Sequence, residues 1–205
     1  MKLRNTLIAL GISAATATGL SLLKVNKDLV VGSTAVVVGA GLMIALKDKN
    51  KLNTKTRNHE YFFNRAQDKF ELADYEEAIL DYNKALELSP TEICLVYSMR
   101  GNAKRNLGDF DGAISDQNKA LDFDPLYADG YFNRGSAKYK MGDFSGAIED
   151  YTQVIKINPK DSDAFFNRAN IKKEIRDMRG ACEDWKKGAE LGDEDAVKLV
   201  QEHCE

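Results

Sequence analysis

Nearly the same ten-residue phrase occurs four times in this chain. The copies are A-D-Y-E-E-A-I-L-D-Y (Ala73 to Tyr82), G-D-F-D-G-A-I-S-D-Q (Gly108 to Gln117), G-D-F-S-G-A-I-E-D-Y (Gly142 to Tyr151) and the degraded R-D-M-R-G-A-C-E-D-W (Arg176 to Trp185). Tyr75, Phe110, Phe144 and Met178 thus recur at steps of 35, 34 and 34 residues, and the prolines Pro90, Pro125 and Pro159 each close a copy. A fixed period closed by proline predicts two-helix units, each able to bury its apolar face only against its neighbours. Such a chain stacks as a solenoid.

With the closing proline as position 32, the repeats run 59–92, 94–127, 128–161 and 162–195, and Ile93 is a one-residue insertion. Helix A is expected over about positions 2–14 and helix B over about 17–30. Gly108 and Gly142 at position 15 suit the left-handed residue that ends helix A. Asp74, Asp109, Asp143 and Asp177 at position 16 are placed to cap helix B, with Glu77 completing a capping box in the first repeat.

These positions resemble the tetratricopeptide repeat (TPR) family over residues 59–193. The family's large position 4 is Phe62, Tyr97, Tyr131 and Phe165, and its small position 8 is Ala66, Gly101, Gly135 and Ala169. Position 20 is alanine throughout (Ala78, Ala113, Ala147, Ala181), and position 24 is Tyr82, Gln117, Tyr151 and Trp185. The resemblance implies an all-α fold: a right-handed α-solenoid of four helix pairs. Ala196, Leu199 and Val200 make an apolar stripe, so residues 194–205 are expected to form a capping helix, with His203 and Cys204 as solvated residues of that cap.

Three positions depart from the family together. Position 7 is arginine (Arg65, Arg100, Arg134, Arg168), position 11 is lysine (Lys69, Lys104, Lys138, Lys172) and position 23 is aspartate (Asp81, Asp116, Asp150, Asp184). Positions 7 and 11 share a face of helix A, and position 23 lies on helix B, so each arginine is expected to bridge an aspartate inside its repeat. The alternative makes the arginines a ladder for an acidic ligand.

In TPR relatives the concave groove is lined by helix A, which implies a peptide-binding surface here. Position 5 offers Phe63, Ser98, Phe132 and Phe166, and position 6 offers Asn64, Asn133 and Asn167. Position 9 offers Gln67, Asn102, Ser136 and Asn170, and position 12 offers Phe70, Arg105, Tyr139 and Lys173. Rings supply buried area and amides pair with a peptide backbone. The position-5 rings can instead pack between neighbouring A helices. Relatives that grip the carboxyl termini of heat-shock chaperones use a basic clamp; here those positions hold Phe63, Asp129 and Asn133, so that partner is disfavoured.

Ahead of the repeats lie two uncharged runs, about 7–23 and 29–46, separated by Lys24 to Asp28. Their length and their small residues four apart predict a transmembrane hairpin over residues 1–46. Residues 1–58 carry nine basic and two acidic side chains, a net +7 that leaves −10 for the rest of the chain, whose total is −3. Lys2, Arg4 and the basic linker 47–58 outweigh the turn, so both ends and the repeats are expected on the cytoplasmic face of a bacterial-type inner or internal membrane. The competing reading makes the first run a signal peptide cleaved near Ala15-Thr16-Ala17, and so allows an exported scaffold.

The acidic repeats argue against nucleic acid as partner. Cys94, Cys182 and Cys204 are odd in number and scattered, which argues against a disulfide framework or metal site and for a reducing compartment. No nucleophile–base set or phosphate loop appears, so no catalytic residue, cofactor or metal is assigned and an enzyme is not expected. The expected function is a membrane-anchored interaction module that recruits or assembles a protein complex.

Overall fold

A computed structural model describes residues 58–88 and 93–204. The expected hairpin at 7–23 and 29–46, and the linker that follows it, lie outside the described residues. Among the described residues no helix is long and apolar enough to cross a membrane.

Among the described residues nine helices follow one another: α1 (58–71), α2 (Tyr75–Leu88), α3 (Ile93–Asn106), α4 (Phe110–Phe123), α5 (Ala128–Lys140), α6 (Phe144–Ile157), α7 (Ser162–Glu174), α8 (Met178–Glu190) and α9 (Glu194–His203). Consecutive helices pack on each other, and α3 also touches α5, so the A helices of the second and third repeats lie side by side. Small residues permit this spacing. A Cβ on Gly135 would stand 3.2 Å from Asp150 Cβ and 3.4 Å from the Ala147 carbonyl, so position 8 must stay small for helices A and B to close.

The turns form as the sequence predicts, at some conformational cost. Gly108 and Gly142 are left-handed (φ 82°), and the same conformation is imposed on Ala73 (φ 59°) and Arg176 (φ 66°). Asp109, Asp143 and Asp177 accept from the backbone N–H of Gly112, Gly146 and Gly180, each at 2.9 Å. Glu77, expected to close a box with Asp74, instead accepts from Lys69 Nζ at 3.1 Å. The Asp74 N–H that the box would have used donates to the Lys69 carbonyl at 2.9 Å, and the Lys69 ammonium also pairs with Asp81.

Every repeat contains the expected Arg–Asp bridge. Nε and Nη2 of Arg65, Arg100, Arg134 and Arg168 grip both carboxylate oxygens of Asp81, Asp116, Asp150 and Asp184 at 2.5–3.0 Å. The position-11 lysines reach the same aspartates at 2.8–2.9 Å, so each buried carboxylate is held by two cations. The arginines also make a third bond, which the period alone does not specify. Nη1 of Arg100, Arg134 and Arg168 crosses to Asn83, Asn118 and Thr152 at position 25 of the preceding helix B. Each arginine therefore ties its own repeat together and locks it to the one before. Arg65 has no preceding repeat and turns Nη1 to the Tyr61 hydroxyl.

At the far end α9 lays Ala196, Leu199 and Val200 on Ala169, Ala181 and Trp185. Its last turn overturns one expectation: Cys182 and Cys204 are joined by a disulfide, with Cα atoms 5.6 Å apart, and are not scattered thiols. Cys204 continues the apolar stripe of α9, and Cys182 lies at the start of α8 beside buried Ala181, so the seam between the two helices brings the sulfurs together. The odd cysteine, Cys94, remains free. His203 is exposed, as expected of a cap residue, while its ring stands 5.9 Å from that of Trp185 and its Nε2 lies 3.1 Å from Lys173 Nζ.

Candidate functional site: the inner face of the A helices

In the last two repeats, position 24 of helix B reaches through the stack to position 9 of helix A. Trp185 Nε1 donates to Asn170 Oδ1 at 3.1 Å, and the Tyr151 hydroxyl meets Ser136. Burial raises the Tyr151 phenol to about 12, and the Ser136 contact only partly offsets that. Gln117 Nε2 donates instead to the Ser98 carbonyl at 3.1 Å. The groove floor is thus set by large side chains arriving from behind.

Not all expected groove residues belong to that surface. Phe63 is buried against Tyr82, and the Ser98 side chain is buried, with Asn133 Nδ2 near its hydroxyl at 3.4 Å. Both are therefore packing residues. Position 5 meets the neighbouring A helix as well as the groove, and in the first two repeats that neighbour covers it. Phe132 and Phe166 are half-buried; Phe132 is edge-on to Tyr151 with centroids 5.3 Å apart. Phe70 packs edge-on against Tyr75, Asn64 is exposed, and Gln67 is half-buried. Asn167 donates to the Asp163 carbonyl of its own helix.

The remaining residues converge across the second to fourth repeats. Arg105 Nη1 donates to Ser136 Oγ at 3.0 Å, which joins α3 to α5. The Tyr139 hydroxyl donates to Glu174 at 2.5 Å, which joins α5 to α7, and that bond raises the phenol above its ordinary value. Tyr139, Tyr151, Asn167, Asn170 and Ile171 line a hollow of about 260 Å³, its open mouth included. Lys173, at the end of this line, is drawn over the Trp185 ring by the cap. The surface offers amides, two phenols and one guanidinium, all hydrogen-bonding groups.

Models of the tetratricopeptide repeat match residues 59–92 and 128–161, and a TPR repeat model matches 101–142. No curated protein matches the chain in sequence. Among solved structures, the crystal structure of MamA is similar with a TM-score of 0.63 at 23% identity, over 73% of this chain and 86% of that one. The first TPR of Spaghetti (RPAP3) bound to HSP90 peptide SRMEEVD is similar at 0.56 and 24% identity, over 59% of this chain and 95% of that one. The Arabidopsis OM64 TPR domain gives 0.56 at 20% identity, over 58% and 98%. At these identities the likeness is one of fold. The repeats of residues 59–92 and 101–161 are tetratricopeptide repeats.

Proposed function

We propose that the chain is a protein–protein interaction module that takes a peptide segment along the inner face of its A helices, and that residues 7–46 fix it to a membrane where it recruits or assembles a complex. The observation that carries this is the line Asn102, Arg105, Ser136, Tyr139, Asn167, Asn170. These groups lie on three successive A helices, and the internal bonds they make leave hydrogen-bonding capacity unused. Non-enzymatic scaffolding fits the repeat family, since such arrays present surfaces and not reactive constellations. A photo-crosslinking amino acid at Tyr139 should capture a partner in intact membranes, and one at exposed Glu149 on α6 should not. Equal capture from both positions would sink the reading.

A second reading concerns the compartment, and the Cys182–Cys204 disulfide favours it. Such bonds persist in oxidising surroundings, whereas the basic flank 47–57 argues for the cytoplasmic face. An exported domain follows if residues 1–23 are cleaved and the run 29–46 does not span. Sequencing the mature amino terminus, together with alkylation of cells before lysis, separates the two. A protein retaining Met1 with Cys182 and Cys204 both alkylated is the cytoplasmic form. A processed protein with both protected is the exported one.

A further inference from the structure

We propose that the bound segment carries an acidic side chain, Asp or Glu, and that Arg105 is its charged contact; this rests on the peptide-binding reading above and names the partner's chemistry. Five arginines stand on the A helices of the described residues. Four of them, at position 7, grip a buried aspartate with the Nε–Nη2 edge and use Nη1 for a third bond. Arg105, at position 12, is built the same way with the carboxylate missing. Its Nη1 is held by Ser136 Oγ, Nε is buried with no hydrogen-bond partner, and no ion pair involves it among the described residues. A half-buried guanidinium is normally paired, because leaving its donors unmatched in a low-dielectric site costs free energy.

Asn102 supplies the second half. It precedes Arg105 by three residues, so the two side chains share a face of α3, and its Oδ1 is buried and unpartnered. A donor edge and an acceptor oxygen on one face match a carboxylate and a nearby N–H of the same segment. Because Nε and Asn102 Oδ1 are both covered, the carboxylate enters at Nη2, and the guanidinium and the amide turn to present them. Tyr139 and Tyr151, beside Ser136, line the adjoining hollow, which takes the neighbouring side chain of the segment. This location differs from the basic clamp that grips chaperone termini, whose positions hold Phe63, Asp129 and Asn133.

The test uses the full chain in detergent micelles and a phage-displayed library of random dodecapeptides. Enriched peptides should share an Asp or Glu. For one enriched peptide made synthetically, exchanging that acid for its amide should weaken binding to the wild type by at least about tenfold, the size of a charged hydrogen bond. The same exchange should matter little for Arg105→Met, and Arg105→Lys should bind with intermediate strength. Melting temperatures of both variants close to the wild type show that the fold is kept. Enriched peptides without acids, or an equal loss on wild type and Arg105→Met, overturn the proposal; loss of binding in Tyr139→Ala would still uphold the groove. Failure to enrich any peptide, or binding indifferent to both Arg105→Met and Tyr139→Ala, overturns the groove reading as well.

Discussion

Replacing Arg134 by methionine should destabilise the repeats strongly, because it strips three bonds at once. Nε and Nη2 leave Asp150, previously held at 3.0 and 2.6 Å, and Nη1 leaves Asn118, held at 2.7 Å. Asp150 is 2% exposed, so it cannot turn to water for compensation, and only Lys138 at 2.9 Å remains. Breaking a buried pair from one side costs about 3–5 kcal/mol; the surviving lysine brings the expectation to about 2–4 kcal/mol. For a domain of this size that is a fall in Tm of roughly 4–15 °C. Because the Asn118 bond joins the second repeat to the third, the melt should also broaden as the array loses nearest-neighbour coupling. Circular dichroism melts of Arg134→Met, Asn118→Ala and the pair Arg134→Met/Asp150→Leu provide the assay. Asn118→Ala should cost only about 1 kcal/mol. The apolar double replacement should recover much of the loss, because it removes the stranded carboxylate. A single variant melting with the wild type while losing a bound partner would refute this reasoning and make the arginines a ligand ladder.

Three further outcomes follow from the same geometry. Arg176→Gly should raise stability by about 0.5–1 kcal/mol in a thermal melt, because Arg176 occupies a left-handed conformation that glycine adopts freely. Reducing Cys182–Cys204, or substituting Cys204→Ser, opens a link of sequence separation 22, worth about 3 kcal/mol in the chain-entropy account. The loss should centre on α9, and iodide quenching of Trp185, the sole tryptophan, should rise from near zero as the cap loosens. Finally, hydrogen bonds from Arg65 and Lys69 hold the Asp81 carboxyl below the usual aspartate range. A depressed carboxyl contributes stability that is full above about pH 4 and lost as pH falls through its folded value, because the unfolded chain binds the proton first. Asp81→Asn should therefore show a shallower fall of Tm between pH 4 and pH 2.

The features legible in the sequence were those carried by one side chain at a fixed offset. Asp109, Asp143 and Asp177 cap because a carboxylate at position 16 can reach only the start of helix B, and Arg134 finds Asp150 because both belong to one hairpin. The bond from Arg134 to Asn118 crosses between repeats, so it depends on how the pairs stack, which the period alone leaves open. An amide or hydroxyl at position 25 (Asn83, Asn118, Thr152) was the available signal. Phe63 and Ser98 are buried and not in the groove because position 5 faces both groove and neighbour, and packing decides which side wins. An odd cysteine count does not exclude a pair, and the disulfide is signalled by Cys204, which extends the stripe Ala196, Leu199, Val200 that docks beside Cys182.

The third bond of each arginine gives the array a direction of growth. Every interior repeat offers an acceptor on its trailing helix and a donor on its leading one, so a duplicated unit inserted among them meets matching chemistry on both sides. The trailing position of the last repeat is Lys186, which would meet an incoming arginine with like charge. A chain of this kind can lengthen from within by copying, for instance, residues 128–161, while its carboxyl end refuses extension. At its leading end the same donor of Arg65 is taken by Tyr61, a residue of its own helix.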